Sequence, residues 1–226
     1  MSVSIDVPDT LAAYDRWATH YDHDDNPLVA ATVWVLAHAP LPVAGARVVE
    51  LGCGTGRHAA PLLAAGAAVY LGVDGSGGML AHARARVDDP RAAWLTADLA
   101  ALPPCPGPRF DRALIVLVLE HVAAPAPLFA ALAGWLAPDA TLRILELHPE
   151  RISAGTAAHF VDGGVEHRFA SFAHDPAALI ADLATAGFAA TARAWRAEGE
   201  LLAAVPRLAK HAGRAVVLDV SATRAG

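Results

Sequence analysis

A chain of 226 residues suits one substantial core and is short for two, so a single domain spanning 1–226 is expected. Hydrophobic residues make up 55% of it, yet no apolar run reaches the ~18 residues of a membrane span, and the start lacks the regions of a secretory signal. A net charge of −6 without a basic stripe argues against nucleic acid, and two cysteines outside any C-x-x-C pair argue against zinc or a disulfide. The expected protein is cytoplasmic and handles a small molecule, with no nucleic-acid or membrane partner and with homodimerisation left open.

The chain opens on two helical stretches, 10–21 and 28–38, separated by an Asp-rich break. A strand over 46–51 leads into a helix over 57–65 that Gly66 stops. A strand over 67–74, a helix over 76–87 and a strand over 92–98 follow. The next strand, 112–119, has Leu-Ile-Val-Leu-Val-Leu at its heart, an unbroken apolar run suited to a central parallel strand covered on both faces. A helix over 125–136 and a strand over 141–147 continue the rhythm. It fails between 149 and 175, where Asp162-Gly163-Gly164 reads as the turn of a hairpin joining 158–161 to 166–169. Asp175 caps a helix that begins at Pro176 and stops at Gly187. Strands over 189–197 and 214–222 complete seven. This alternation predicts an α/β fold, a doubly wound, mostly parallel sheet with its ligand at the carboxyl ends of the strands.

The most informative stretch is Val48-Val49-Glu50-Leu51-Gly52-Cys53-Gly54-Thr55-Gly56-Arg57. Strand residues run into glycines at alternate positions, and bare backbone lets a ligand approach closely. The spacing alone also fits a dinucleotide fingerprint. Glu50 changes the reading, because a carboxylate there repels a pyrophosphate but suits a ligand bearing an ammonium and a sulfonium. ELGCGTGR resembles motif I of the class I S-adenosylmethionine-dependent methyltransferases.

Four more segments resemble that family in order. Val73-Asp74-Gly75-Ser76 with Met79 ends the second strand, and a carboxylate there can accept from both vicinal ribose hydroxyls. Thr96-Ala97-Asp98-Leu99 ends the third, where the resemblance implies an acid on the adenine amine. In the fourth strand it implies a carbonyl near Ile115 facing the methionine amino group. Leu136-Ala137-Pro138-Asp139-Ala140 matches the turn before strand five, with Asp-Ala replacing Gly-Gly. The resemblance thus assigns Glu50, Gly52, Cys53, Gly54, Gly56, Asp74, Gly75, Ser76, Met79, Asp98, Leu99 and Ile115 to S-adenosylmethionine. It also implies that residues 1–40 form a helical lid, as in ubiquinone-biosynthesis and natural-product methyltransferases. There Tyr14, Trp17 and Tyr21 share one helix face. The tyrosines are expected at the cofactor, and Trp17 at the substrate or simply in the core.

The implied activity is methyl transfer to oxygen, nitrogen or carbon of a small aromatic or apolar metabolite, roofed by residues 149–175. Histidine suits a base near neutral pH. His148 after strand five is the first candidate and His121 after strand four the second, with His159 and His174 in the roof as substrate residues. His58, on a helix, is expected at the surface. No metal is expected. Two other classes stay open: a nicotinamide-dependent oxidoreductase, for which no Tyr-x-x-x-Lys pair is present, and a non-methylating cyclase or binding protein that keeps fold and cofactor.

Overall fold

The computed structural model describes residues 10–23, 26–162 and 165–226. All seven expected strands form one sheet. They are β1 (Arg47–Leu51), β2 (Val69–Asp74), β3 (Ala92–Thr96), β4 (Phe110–Val116), β5 (Leu136–Leu147), β8 (Phe188–Arg196) and β9 (Ala215–Arg224). Their spatial order is β3-β2-β1-β4-β5-β9-β8, with the first five mutually parallel and β9 antiparallel to both its neighbours. The order reverses between β1 and β4, and such a switch point opens a crevice at the strands' carboxyl ends.

Helices cover both faces, which is why the central strands read as apolar runs rather than alternating ones. Val49, Leu51 and Ile115 face a core closed by α5 (Ala126–Trp135) and α7 (Pro176–Thr185). Val48, Leu114 and Leu145 face the opposite core, closed by α2 (Pro27–His38), α3 (Ala59–Ala64) and α8 (Gly199–Ala204). Between β2 and β3 runs α4 (Gly77–Arg86), whose N-cap Ser76 accepts from the Met79 N–H. The lid begins with α1 (Thr10–Trp17), followed by turns to residue 23. Asp24, Asp25, Gly163 and Gly164 lie outside the described residues. The hairpin around the last two is present as β6 (His159–Asp162) and β7 (Val165–Arg168), after a one-turn α6 (Pro149–Ser153).

Several boundaries differ from the sequence reading, two of them at left-handed residues. β5 begins at Leu136, directly after α5, pairs once with Phe110, and resumes pairing at Thr141. Between them Asp139 takes φ = 60°, the left-handed conformation that glycine serves in the resembling turn and that Asp tolerates better than most residues. β4 stops at Val116 rather than 119, because Leu117 turns left-handed at φ = 56°.

The antiparallel edge is fastened by a buried charge. Asp219 on β9 is 1% exposed and accepts from Arg143 Nε at 2.7 Å and Nη2 at 2.8 Å. Arg193 Nε and Trp195 Nε1 add bonds at 2.8 Å each. Burial pushes this carboxyl up, but the hydrogen bonds from Arg143, Trp195 and Arg193 outweigh it and hold it below the usual range. Removing one partner of such a pair leaves a buried charge uncompensated. Asp219→Ala is therefore expected to lower stability by ~3–5 kcal/mol in urea unfolding. A change under ~1 kcal/mol would show that the network is solvated and contributes little.

Candidate active site

The glycine loop is held against the end of β2. Gly52 and Cys53 donate their N–H groups to the Val73 carbonyl at 2.7 and 3.1 Å. Gly52 adopts φ = 70°, and a Cβ there would stand 2.2 Å from Val118 Cγ2. Gly54, at φ = 53°, is different: a Cβ there would meet nothing within 4 Å, because it would project into open space. Gly54 donates its N–H to Asp74 Oδ2 at 2.8 Å, and Ser76 donates its own to Oδ1 at 2.9 Å. Burial raises the Asp74 carboxyl above its ordinary value, with these two bonds acting the other way. Each oxygen keeps a lone pair for a ligand hydroxyl.

Beside this loop opens a cavity of about 520 Å³. Gly52, Gly54, Asp74, Gly75, Met79, Asp98 and Leu99 line it together with Tyr14 and Tyr21 from the lid, as the resemblance implies. Its size falls in the range of small-molecule and cofactor sites, ~300–1,000 Å³. Asp98 also accepts from the Ala100 N–H at 2.9 Å, so it caps the turn at Leu99–Ala101 while facing the cavity.

Five expected cofactor residues do not line this cavity, although Glu50 and Cys53 line a small neighbouring one of about 40 Å³ together with Gly52 and Gly54. Glu50 lies beneath the loop, 1% exposed, with its oxygens taken by His58 Nδ1 at 2.7 Å and the Tyr70 hydroxyl at 2.5 Å. It supports the loop from below, and His58 is consequently no surface group. Cys53 turns its sulfur toward Gly72, where a Cβ would come within 2.8 Å of it. Gly56 is a packing glycine: a Cβ would meet Trp94 Cη2 at 2.7 Å. Ser76 is fully covered and caps α4. Ile115 is sealed in β4, and the cavity wall begins one residue later, with Val116, Leu117 and Val118.

A second cavity of about 530 Å³ adjoins the first. Tyr14, Tyr21 and Leu117 line both. Trp17 lines the second and stacks on Phe160 at 5.3 Å between ring centroids, so it is at once core and cavity wall. His159 lines it too, whereas His174 does not: its Nε2 meets the Leu119 carbonyl at 2.8 Å and ties the roof down. His148 lines neither cavity. It caps α6, accepting from the Glu150 N–H, and this geometry removes it as first candidate for the base.

His121 is placed as expected, on the wall of the first cavity, with Nε2 2.8 Å from the Tyr14 hydroxyl. Burial lowers it to about 4, so the ring is neutral at pH 7. Burial also raises Tyr14 well above its ordinary value, so the phenol stays protonated and donates to Nε2.

Sequence reasoning passed over the neighbouring carboxyls. Glu120 lines the second cavity, and burial raises it to about 7, with a 3.3 Å bond from Ser171 Oγ opposing. Glu146 is raised by burial to about 8. Its Oε1 accepts from the N–H groups of Val118 and Leu119, both at 2.9 Å, and so fixes the turn that begins at Leu117. Also unforeseen are the lid's carboxylates. Asp15 accepts from Ser76 Oγ at 2.5 Å and the Gly78 N–H at 2.8 Å, while Asp22 accepts from Thr55, Arg57 and Arg86. No motif signals such contacts, since their partners lie 31 or more positions away in the chain.

Comparison with known proteins agrees with this geometry. A family described as "Methyltransferase domain" matches residues 48–139. The chain is 31% identical to an uncharacterized methyltransferase of Emericella nidulans, over 81% of this chain and 77% of that one. A trans-aconitate 2-methyltransferase of Methylobacterium nodulans is 43% identical, over 49% of this chain and only 41% of its own length. Among solved structures, an S-adenosylmethionine-dependent methyltransferase from Mesorhizobium loti superposes with a TM-score of 0.74 at 27% identity, covering 88% of this chain and all of that one. The chain belongs to the class I S-adenosylmethionine-dependent methyltransferases. Among the described residues, no helix is long and apolar enough to cross a membrane.

Two measurements test the geometry. Asp74→Asn keeps the size but removes the charge behind the ribose contacts that the resemblance implies, each worth about 1.5–3 kcal/mol, so calorimetry should show S-adenosylmethionine binding at least tenfold more weakly. Unchanged affinity would remove Asp74 from the site. The second concerns pH. Glu146 holds its proton up to about 8 when folded but loses it near 4.5 when unfolded. Its contribution is thus full below pH 4.5 and is lost as pH rises toward 8. Glu146→Gln, which stays neutral, should flatten the fall in Tm between pH 5 and 8.5. Parallel profiles for the two proteins would show that Glu146 is ionised in the fold.

Proposed function

We propose that the first cavity holds S-adenosylmethionine and the second its acceptor, a small metabolite with an aromatic or apolar body. The supporting observation is that the two spaces meet at Tyr14, Tyr21 and Leu117. The first cavity has the ribose carboxylate, the bare backbone at Gly54 and an acid at the third strand end. The second is walled in part by Trp17 and Phe160.

When bound, the cofactor supplies an electrophilic methyl group on a sulfonium. The protein's share is alignment, exclusion of water, and removal of a proton where the acceptor carries one. Glu120 takes that proton at its carboxylate. It lines the acceptor cavity, and a group titrating at about 7 suits transfer at neutral pH. His121, through Nε2, fixes the Tyr14 hydroxyl at the boundary. Asp15 and Asp22 keep the lid over both spaces.

Incubation with methyl-labelled S-adenosylmethionine and a metabolite extract should move the label into a small molecule. Label that stays on the donor, despite measurable cofactor binding, would favour the non-methylating binder. With an acceptor in hand, Glu120→Gln should lower kcat by ~10²–10⁴ with little change in cofactor affinity. It should also abolish the acid-side fall in rate near pH 7, where wild-type Glu120 becomes protonated. If His121→Ala shows these effects and Glu120→Gln does not, the proton goes to the imidazole.

A further inference from the structure

Although the chain carries a net charge of −6, cations gather on one wall of the second cavity. Arg151, Arg207, Lys210 and His211 all line it, and Lys210 is the chain's sole lysine. Glu120 is the one carboxylate among the described lining residues, and it belongs to the part of the wall shared with Tyr14 and Leu117.

Arg151 is 8% exposed. Its side chain donates from Nη2 to Thr156 Oγ1 at 3.0 Å and approaches His211 Nε2 at 3.2 Å. Neither partner is anionic, and no carboxylate among the described residues lies within 4.0 Å of the guanidinium. A covered cation without a counter-charge is costly. The imidazole beside it does not neutralise it: since a guanidinium can only donate, His211 accepts at Nε2 and carries its proton on Nδ1, a covered atom. A covered guanidinium with no carboxylate beside it thus stands on the wall of a cavity that Arg207 and Lys210 also line.

We infer that this wall is a subsite for a carboxylate, or an equivalent oxyanion, on the methyl acceptor. The inference rests on the second cavity being the acceptor site. Arg151, held in place by Thr156 and His211, supplies a fixed donor, and Lys210 supplies a mobile charge. An anionic handle held there leaves the apolar part of the acceptor against Trp17 and Phe160, toward the boundary with the cofactor. Charge-assisted bonds to an oxyanion are about twice as strong as neutral ones, so the handle selects among acceptors that fit the cavity equally well.

The test is calorimetry on the intact chain saturated with S-adenosylhomocysteine, in low-salt buffer, with benzoate, 4-hydroxybenzoate and citrate as probes and benzamide and 4-hydroxybenzamide as neutral partners. At least one acid should bind, its amide at least tenfold more weakly, and added KCl should weaken the acid alone. Arg151→Gln and Lys210→Gln should each weaken the acid tenfold or more and leave S-adenosylhomocysteine affinity unchanged. Lys210 lies at an exposed position, so its variant stays informative if Arg151→Gln folds poorly. The inference is overturned if no acid binds, if amides bind as well as acids, or if Lys210→Gln binds acids like wild type. Those results leave the methyl-transfer reading standing; failure to bind S-adenosylhomocysteine at all would sink that reading separately.

Discussion

The constraint on which both cavities depend is the break in the central strand at Leu117. A left-handed leucine costs roughly 1–3 kcal/mol and persists only where its surroundings enforce it. The enforcement comes from three sides: the Leu117 N–H donates to the Leu145 carbonyl, and Glu146 Oε1 accepts the two N–H groups that follow. With its donors thus satisfied, the chain leaves the sheet at Val116 and presents Leu117 to both spaces. Val118 turns back over Gly52, so closely that a side chain at that glycine would collide with it. The cofactor loop and the turn after β4 are therefore one packed unit. This makes the glycine at 52 a packing requirement and the glycine at 54 an access requirement, two different reasons for the same residue type.

The lid obeys a similar logic of charge. Helix α1 is only eight residues long, too short to be stable by itself in water. It is held by Asp15 at the first turn of α4, by Asp22 between Arg57 and Arg86, and by Tyr14 and Trp17 stacking on Phe169. Two contacts of this helix reach residues beside the first cavity: Leu11 covers Gly75, and Asp15 reaches Ser76 next to Asp74. Exposed ion pairs contribute little each, so the aromatic stack is the larger part of the fastening, and the carboxylates fix its register.

What the sequence made legible follows from which signals are local. The seven strands, the glycine loop, Asp74 and Asp98 lie in contiguous runs whose period or spacing carries the meaning. The resemblance implies a carbonyl near Ile115, and the cavity wall begins at the next residue, Val116; nothing in Leu-Ile-Val-Leu-Val-Leu marks where the strand turns left-handed, because Glu146, which fixes that turn, is on the next strand. His148 and His121 look alike in sequence, each following a strand end. They separate only in space, where His148 caps α6 and His121 meets Tyr14, 107 positions away. Glu50 was read as part of the loop, but its partners His58 and Tyr70 could not be, since strand alternation does not tell what the carboxylate of a short strand meets. The raised proton affinity of Glu120 was not legible, because it is a product of burial, and burial is a tertiary property.

The distribution of charge gives the two cavities opposite characters. In the proposed reading the first holds, beside Asp74 and Asp98, a ligand that brings a sulfonium and an ammonium; the second collects Arg151, Arg207 and Lys210 in a chain that is acidic as a whole. Transfer of a methyl group from a sulfonium to an anionic or deprotonated acceptor consumes charge, so water, which favours the separated charges, slows it. In that reading a boundary walled by Tyr14, Tyr21 and Leu117 keeps water from the transfer, with each partner held at its far end. The far-end groups hold each partner by the part that does not react, and binding energy is thereby spent on alignment at the centre. On this view the buried Glu120 is tolerated for the same reason the boundary is apolar: a dehydrated carboxyl near neutrality is a better proton acceptor there than a solvated one would be.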